Sequence, residues 1–204
     1  MDNVVQLKSQ VPPDGRTLFV NLLGGPGSGK STLAAATFSF LKFKGVNAEL
    51  VNEWVKSKVW SDQTAVLSDQ LYVFAKQNNR MHILEGKVEV AVTDSPIFLS
   101  LYYGKHLGES FEKLVVEQFN SYRNLNIFLV RTSPYQPHGR IQDEAGARVI
   151  DGAIERLLLD YEIKYEELRL KDIWAGSREI VKMVAEEKKG DYVGVQNPLG
   201  DYLR

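Results

Sequence analysis

The sequence contains no cysteine, and this absence excludes several kinds of chemistry. A disulfide framework, a cysteine nucleophile and a thiolate-bound metal site all require the missing side chain. A chain without cysteine suits a reducing compartment, so we expect to find the protein in the cytoplasm.

Long hydrophobic runs are missing as well. No segment approaches the roughly 20 apolar residues that a membrane-spanning helix needs, so we expect no membrane association. The segment 1–15 lacks the basic start and apolar stretch of a signal peptide. Pro12, Pro13 and Gly15 interrupt any regular pattern there, which predicts a loose N-terminal arm.

An excess of positive charge is the third missing feature, because the formal net charge is -1. Dedicated nucleic-acid-binding proteins usually carry a basic excess. A nucleic-acid partner would therefore have to bind through a local patch, with modest non-specific affinity. The sequence leaves the oligomeric state open.

What the chain does contain is a regular alternation of short apolar runs and helical periodicity. We predict strands at 16–23, 47–52, 88–94, 125–131 and 164–168, and helices at 30–44, 68–84, 110–123, 142–160 and 177–189. This alternation predicts an α/β fold, with a five-stranded parallel sheet and helices on both faces. The predicted domain covers residues 16–189 and is followed by a C-terminal tail at 190–204.

The strongest signal is the segment 24–31, which matches the phosphate-loop (P-loop) pattern G-x-x-x-x-G-K-[ST] between a predicted strand and a predicted helix. Glycines let backbone N–H groups approach phosphate oxygens, and the following helix adds the positive end of its dipole. The pattern predicts that Lys30 reaches the β- and γ-phosphates of ATP and that the Ser31 hydroxyl binds Mg²⁺. The predicted nucleotide-binding residues are Gly25, Pro26, Gly27, Ser28, Gly29, Lys30, Ser31 and Thr32.

Asp94 ends the third predicted strand, in the stretch VEVAVTDSP. A carboxylate at this place is the expected second holder of Mg²⁺ in a P-loop site. Many ATP-hydrolysing motors carry a water-activating glutamate directly after this aspartate, but Ser95 stands here. The pattern therefore favours a kinase, although an aspartate before Ser-Pro is also a common turn or helix cap.

Glu53 follows the second predicted strand, where ligands bind in open α/β sheets. It is a candidate for holding or deprotonating an acceptor hydroxyl, a role for which Asp94 is the alternative carboxylate. Trp54 offers a flat face for a base or sugar. A surface glutamate beside a core tryptophan is the equally weighted alternative. Gln77 and Arg80 lie three residues apart on a predicted helix and are further candidates for the acceptor pocket, although most polar helix residues simply face solvent.

Arginines cluster between the fourth strand and the helix that follows it. A kinase needs a cation to neutralise charge on the transferred phosphoryl group. We expect one of these arginines to serve as a lid residue, in a lid at about 132–150, with Arg140 after the hinge-like Gly139 as the first candidate. Arg131 is a candidate for substrate binding. The alternative is an exposed helix on which Arg148 and Arg156 form ion pairs with neighbouring acidic residues.

Six stretches together, GGPGSGKST, NEW, DQLYVFAKQNNR, VTDSPI, RTSPYQPHGRIQDEA and VID, resemble small P-loop kinases of bacteriophages. The resemblance spans about residues 16–185 and points to the 5-hydroxymethyl-deoxyuridine DNA kinases, and more distantly to ribosylnicotinamide and deoxynucleoside kinases. It implies a P-loop NTPase fold of the nucleoside/nucleotide-kinase type with a lid. It also implies that Glu53, Asp94, Gln77 and Arg140 are active-site residues, and that a protein of phage origin acts in the host cytoplasm.

The implied acceptor is the 5-hydroxymethyl group of hydroxymethyluracil in phage DNA, phosphorylated from ATP with Mg²⁺. Free nucleosides or nucleotides, and the 5′ ends of polynucleotides, are alternative acceptors for such a kinase. An alternative from another class is a regulatory or assembly module that hydrolyses ATP slowly. Dependence of ATP consumption on an added hydroxyl acceptor distinguishes the two classes.

Overall fold

A five-stranded sheet forms the centre of the protein in the computed structural model, which describes residues 15–131 and 143–189. The strand order is β2-β3-β1-β4-β5, and every neighbouring pair is parallel. The strands are β1 Leu18–Leu23, β2 Ala48–Val51, β3 Val90–Thr93, β4 Arg123–Val130 and β5 Glu166–Arg169. The predicted five-stranded parallel sheet is confirmed.

Seven α-helices connect and follow the strands in the described part of the chain. They are α1 Lys30–Phe43, α2 Trp54–Trp60, α3 Gln70–His82, α4 Ser100–Tyr103, α5 Glu109–Ser121, α6 Glu144–Asp160 and α7 Ile173–Lys189. Short 3₁₀ segments lie at Thr64–Ser68, Ile97–Leu99 and Lys105–Leu107. None of the described helices is long and apolar enough to cross a membrane.

The sheet buries both of its faces, as the continuous apolar run of β1 requires. Leu18, Val20 and Leu22 point to one side, where α1 and α7 complete an apolar cluster. Phe19 and Leu23 point to the other side, against α3, α5 and α6. Because all strands are parallel, their carboxyl ends lie at one edge of the sheet, and residues that follow different strands can meet there.

Several predicted helix boundaries are wrong, and short-range chemistry explains the differences. The helix predicted from Ser68 begins at Gln70, because the Asp69 carboxylate caps it by accepting a hydrogen bond from the Tyr72 N–H. Gly108, not Ser110, is at the N-cap of α5. The last helix starts at Ile173, four residues before the predicted start. The sequence pattern also missed α2 and α4, which are too short to show a helical period.

Some predictions fall outside the described residues. These are the predicted arm up to residue 14, the part of the predicted lid from 132 to 142, and the predicted tail from 190 onward. Arg140 lies in the second of these segments. The division of the chain into arm, domain and tail therefore stays a prediction.

Candidate nucleotide-binding and acceptor site

The P-loop connects the end of β1 to the start of α1, as the sequence pattern requires. Gly27 and Gly29 have φ values of +81° and +95°, in the left-handed region that side chains disfavour. Gly29 is also the N-cap residue of α1, and glycine has no side chain with which to cap the helix. The first turn of a 14-residue helix therefore presents its backbone N–H groups at the loop, which is an arrangement suited to phosphate.

Lys30 lies across this loop. Its Nζ donates hydrogen bonds to the backbone carbonyl oxygens of Gly24, at 2.6 Å, and Gly25, at 2.8 Å. The two carbonyls thus accept hydrogen bonds from Lys30 that phosphate oxygens could accept instead. The lysine ammonium is therefore held inside the loop and is positioned to exchange carbonyl oxygens for phosphate oxygens.

The charges around Lys30 identify the side chains that share its surroundings. Burial lowers the pKa of Lys30 to about 8, and the Arg131 guanidinium acts weakly in the same direction. The carboxylates of Glu53, Asp94 and Asp151 oppose this effect, in that order of size. One cation and three carboxylates, from four separate segments of the chain, thus face the Lys30 ammonium.

Glu53 and Asp94 come together because β2 and β3 are neighbours in the sheet. The Glu53 backbone N–H donates to Asp94 Oδ1 at 3.1 Å, and Asp94 is only 7% exposed. Burial, followed by the charge of Asp94, raises the pKa of Glu53, whereas Lys30 and Lys56 lower it. The structure therefore places the predicted catalytic residues Lys30, Glu53 and Asp94 in one cluster.

Ser31 and Asp94 are the predicted holders of Mg²⁺, and both supply the oxygen ligands that this ion prefers. Ser31 lies in the first turn of α1, next to Lys30, which faces Asp94. Residues 15–131 and 143–189 contain no group of three or more acidic or histidine side chains that could hold a metal by themselves. This donor set fits Mg²⁺ that arrives with a nucleotide, because such an ion takes one or two protein ligands and completes its shell with phosphates and water.

Gln77 fixes the start of α2 beside Glu53. Its Oε1 accepts a hydrogen bond from the Trp54 backbone N–H at 2.9 Å, and its buried Nε2 has no hydrogen-bond partner among the described residues. Arg80, one turn further along α3, donates to the Asn52 carbonyl at 3.1 Å. Both predicted acceptor-side residues of α3 thus contact the segment 52–54 at the end of β2.

Trp54 is largely covered, with 9% of its surface exposed. The Tyr72 ring packs against it edge-on, with centroids 5.4 Å apart, and the Lys58 ammonium lies 5.4 Å from the Trp54 ring centroid. The core-tryptophan alternative describes this arrangement well. Stacking of a base on Trp54 stays a prediction that requires the neighbouring side chains to move.

The arginines after β4 take different positions. Arg148 pairs with Glu144 and Arg156 with Asp160, each at 2.8 Å on the exposed surface of α6, as the ion-pair alternative describes. Arg131 instead is buried, pairs with Asp151 at 3.0 Å and donates to the Pro26 carbonyl at 2.8 Å. A direct contact between Arg131 and an acceptor stays a prediction.

Two residues at the site were missed by sequence reasoning. Asp151 of α6 was considered only as a surface ion-pair partner, but its Oδ1 accepts a hydrogen bond from the Gly25 N–H at 2.5 Å. Tyr103 of α4 has a pKa raised to about 12, by partial burial and then by the charge of Glu53. The stretch VID, which includes Asp151, was the available signal for the first residue, and no signal marked the second.

The chain is similar to a known protein family and to solved structures of kinases. A family model described as an AAA domain matches residues 19–174. The structure of deoxyadenosine kinase from M. mycoides with the products dCMP and a flexible dCDP bound has a TM-score of 0.53 and 17% identity, covering 82% of this chain and 99% of that chain. Shikimate kinase from Bacteroides thetaiotaomicron has a TM-score of 0.48 and 16% identity, covering 82% of this chain and 98% of that chain. No curated protein sequence matches significantly.

The sheet order, the P-loop between β1 and α1, and the likeness to the deoxyadenosine kinase structure agree on the architecture. The predicted P-loop NTPase fold of the nucleoside- and nucleotide-kinase type is confirmed.

Proposed function

The chain belongs to the AAA-domain family defined by that model, and from this premise we propose that it is an ATP-dependent phosphotransferase with an alcohol group as acceptor. The observation that carries the proposal is the position of Glu53. Its carboxylate faces Lys30 and Asp94. Glu53 follows β2, however, whereas the P-loop follows β1. A carboxylate at this place suits an acceptor hydroxyl, and no glutamate follows Asp94 to activate water.

In the proposed reaction, the P-loop backbone and Lys30 bind the β- and γ-phosphates of ATP. Ser31 and Asp94 hold Mg²⁺, which when bound neutralises charge on those phosphates. Lys30 gives up its bonds to the Gly24 and Gly25 carbonyls and forms charge-assisted bonds to the phosphate oxygens instead. Arg140 remains the candidate lid cation, outside the described residues.

Glu53 acts on the acceptor. It takes the proton of the acceptor hydroxyl as the bond from that oxygen to the γ-phosphorus forms and the bond from the γ-phosphorus to the β-γ bridging oxygen breaks. A general base works best when its pKa approaches the working pH. The raised pKa of Glu53, caused by burial and by Asp94, moves it in that direction from the ordinary range of a glutamate.

Our narrower proposal is that the acceptor is the 5-hydroxymethyl group of hydroxymethyluracil in DNA. The sequence resemblance to the phage kinases supports it, together with the Gln77 amide nitrogen, which lies beside the segment that begins with Glu53 and has no hydrogen-bond partner among the described residues. A base in a duplex must be flipped out to reach such a site, at a cost of a few kcal/mol. We therefore expect single-stranded substrates to react faster than duplexes.

A free nucleoside or nucleotide is the second candidate acceptor. The net charge of -1 favours it, because a small acceptor needs no extended basic surface. The same Glu53 chemistry applies to both acceptors, so the proposed reaction does not depend on the choice between them.

The test offers γ-labelled ATP and Mg²⁺ to the protein with four acceptors in parallel: hydroxymethylated oligonucleotide, single- or double-stranded; unmodified oligonucleotide; and free nucleosides. We expect label on the hydroxymethylated strands only. Faster labelling of free nucleosides would replace the DNA acceptor by the second candidate, and labelling of unmodified 5′ ends would indicate an end-directed polynucleotide kinase. ATP consumption that is equal with and without every acceptor would overturn the kinase proposal in favour of slow hydrolysis.

A further inference from the structure

We propose that Asp151 and Arg131 form a positioning pair that holds residues Gly25 and Pro26 of the P-loop in their nucleotide-binding conformation. The proposal rests on the proposed function only in that the loop binds a nucleotide. It assigns no contact with the acceptor and no proton transfer. Both residues contact the loop, so we assign them a role that acts through it.

Three contacts define the pair. Asp151 Oδ1 accepts a hydrogen bond from the Gly25 N–H at 2.5 Å, and Asp151 Oδ2 accepts one from Arg131 Nε at 3.0 Å. Arg131 Nη2 donates to the Pro26 carbonyl at 2.8 Å. The carboxylate therefore contacts the N–H of one loop residue, and the guanidinium contacts the carbonyl of the next. Together they restrain the backbone on both sides of the Gly25–Pro26 bond.

The helix α6 approaches the loop too closely for a side chain to fit between them. A Cβ atom added at Gly25 would lie 2.7 Å from the Ala147 carbonyl oxygen and 2.8 Å from Asp151 Oδ1. Gly25 has no positive φ, so the conformation of its backbone does not by itself require glycine. The requirement comes from the packing of α6, which brings Asp151 within hydrogen-bond distance.

The pair is shielded from water, which makes its contacts specific. The Arg131 side chain is 4% exposed and that of Asp151 is 17% exposed. Removal of one partner from such a pair takes this contact away from the other charge at a place that water reaches little. The exposed pair Arg156–Asp160, with side chains 74% and 47% exposed, lies on the same helix and contacts no part of the loop in the described structure. It is a matched control for the effect of breaking an ion pair on α6.

The experiment measures ADP binding to the full chain by calorimetry, with Asp151→Ala, Asp151→Asn, Arg131→Met and the double variant Asp151→Ala/Arg131→Met. We expect each alanine or methionine change to weaken ADP binding by about 10- to 100-fold, by analogy with residues that orient the ligands of a bound metal. The double variant should bind ADP no more weakly than the worse single variant, because each single change already breaks the same pair. Arg156→Met/Asp160→Ala should bind ADP within about twofold of the wild-type protein.

Asp151→Asn keeps the shape of the side chain, so it can be measured even if the alanine variant fails to fold. Its Oδ1 can still accept from the Gly25 N–H, but its amide presents a donor to Arg131. We expect an intermediate affinity for ADP, with a melting temperature in the absence of nucleotide close to that of the wild-type protein. A purely structural role would lower the melting temperature of the alanine and methionine variants and leave their ADP affinity, measured well below that temperature, unchanged.

Gly25→Ala tests the pair from the side of the loop. We expect it to weaken ADP binding, and to add little when combined with Asp151→Ala, because either change separates α6 from the loop. Wild-type affinity for ADP in all three single variants at Asp151 and Arg131, or fully additive losses in the double variant, would overturn the proposal. Failure of the wild-type protein to bind ADP would instead contradict the proposed function, so the two failures are distinguishable.

Discussion

On the nucleotide side of the site, the groups placed to contact phosphate come from one unbroken segment, Gly24 to Ser31, and most of them are backbone groups. On the acceptor side, Glu53 and Gln77 come from two separate segments. The backbone N–H groups of Glu53 and Trp54 are held by hydrogen bonds to the side chains of Asp94 and Gln77. Backbone recognition depends on loop geometry and tolerates few changes. The acceptor side depends on individual side chains, so its specificity can change while the nucleotide side stays the same.

This difference has a consequence for mutations. A change on the nucleotide side should affect transfer to every acceptor, whereas a change on the acceptor side should leave nucleotide affinity intact. Four predictions test this separation, beginning with the largest expected effect.

Lys30→Ala should abolish phosphoryl transfer with every acceptor, a loss of at least about 10³-fold at saturating ATP, because the phosphates lose their one close ammonium group. Removal of a partly desolvated charge should leave the melting temperature without nucleotide nearly unchanged. Lys42→Ala, an exposed lysine in the last turn of the same helix, is the control and should retain full activity. Near-normal transfer by the Lys30 variant would show that the nucleotide side is assigned wrongly.

Glu53→Gln should slow transfer by about 10²–10⁴-fold, as loss of a general base typically does. ATP affinity should stay roughly the same, since the variant keeps the backbone N–H that donates to Asp94. Single-turnover kinetics and ATP titration measure the two effects separately. Glu49→Gln, an exposed glutamate on β2, serves as the control. A full rate with Glu53→Gln would remove the chemical basis of the acceptor side.

Gln77→Leu should leave the Trp54 N–H buried without its acceptor and destabilise the protein by about 1–3 kcal/mol, measured as the free energy of unfolding. Displacement of the segment that begins with Glu53 should raise the KM for the acceptor and leave the KM for ATP unchanged. Asn79→Leu, an exposed position on the same helix, is the matched control. A rise in the KM for ATP alone would contradict the separation of the two sides.

The smallest expected effect is a pH dependence of nucleotide affinity. Below pH 8 the Lys30 ammonium of the free protein is charged, and above pH 8 it loses its proton, so ADP binding must then restore it. Because contact with phosphate favours the charged ammonium and raises the pKa of Lys30 toward its ordinary value of 10.5, the Kd for ADP without Mg²⁺ should rise by roughly tenfold from pH 7 to pH 9. Lys30→Arg should bind ADP with no such slope, because arginine stays charged throughout this range. A flat profile for the wild-type protein would indicate that Lys30 does not contact the phosphates.

Local patterns in the sequence were sufficient to predict the fold class and to locate the P-loop between β1 and α1. The apolar run of β1 followed by glycines and Lys30 is contiguous, and its chemistry depends on neighbours in the chain. The proximity of Asp94 and Glu53 could be predicted because Asp94 ends one predicted strand and Glu53 directly follows another, and the ends of parallel strands meet at one edge of the sheet. Short helices such as α2 could not be predicted, because seven residues do not show a helical period.

Contacts between distant segments were decided by the tertiary structure alone. Asp151 stands 126 positions from Gly25 in the sequence, and Gln77 stands 23 positions from Trp54. On the sequence, Asp151 is equivalent to the other acidic residues of its helix. It differs from them because the packing of α6 against the sheet turns Asp151 toward the P-loop, whereas Glu144 and Asp160, for example, are exposed to solvent. The sequence determined which residues could bind phosphate. The tertiary structure decided which side chains of α6 and α3 support those residues at the carboxyl edge of the sheet, because burial and distance depend on the packing of the whole fold.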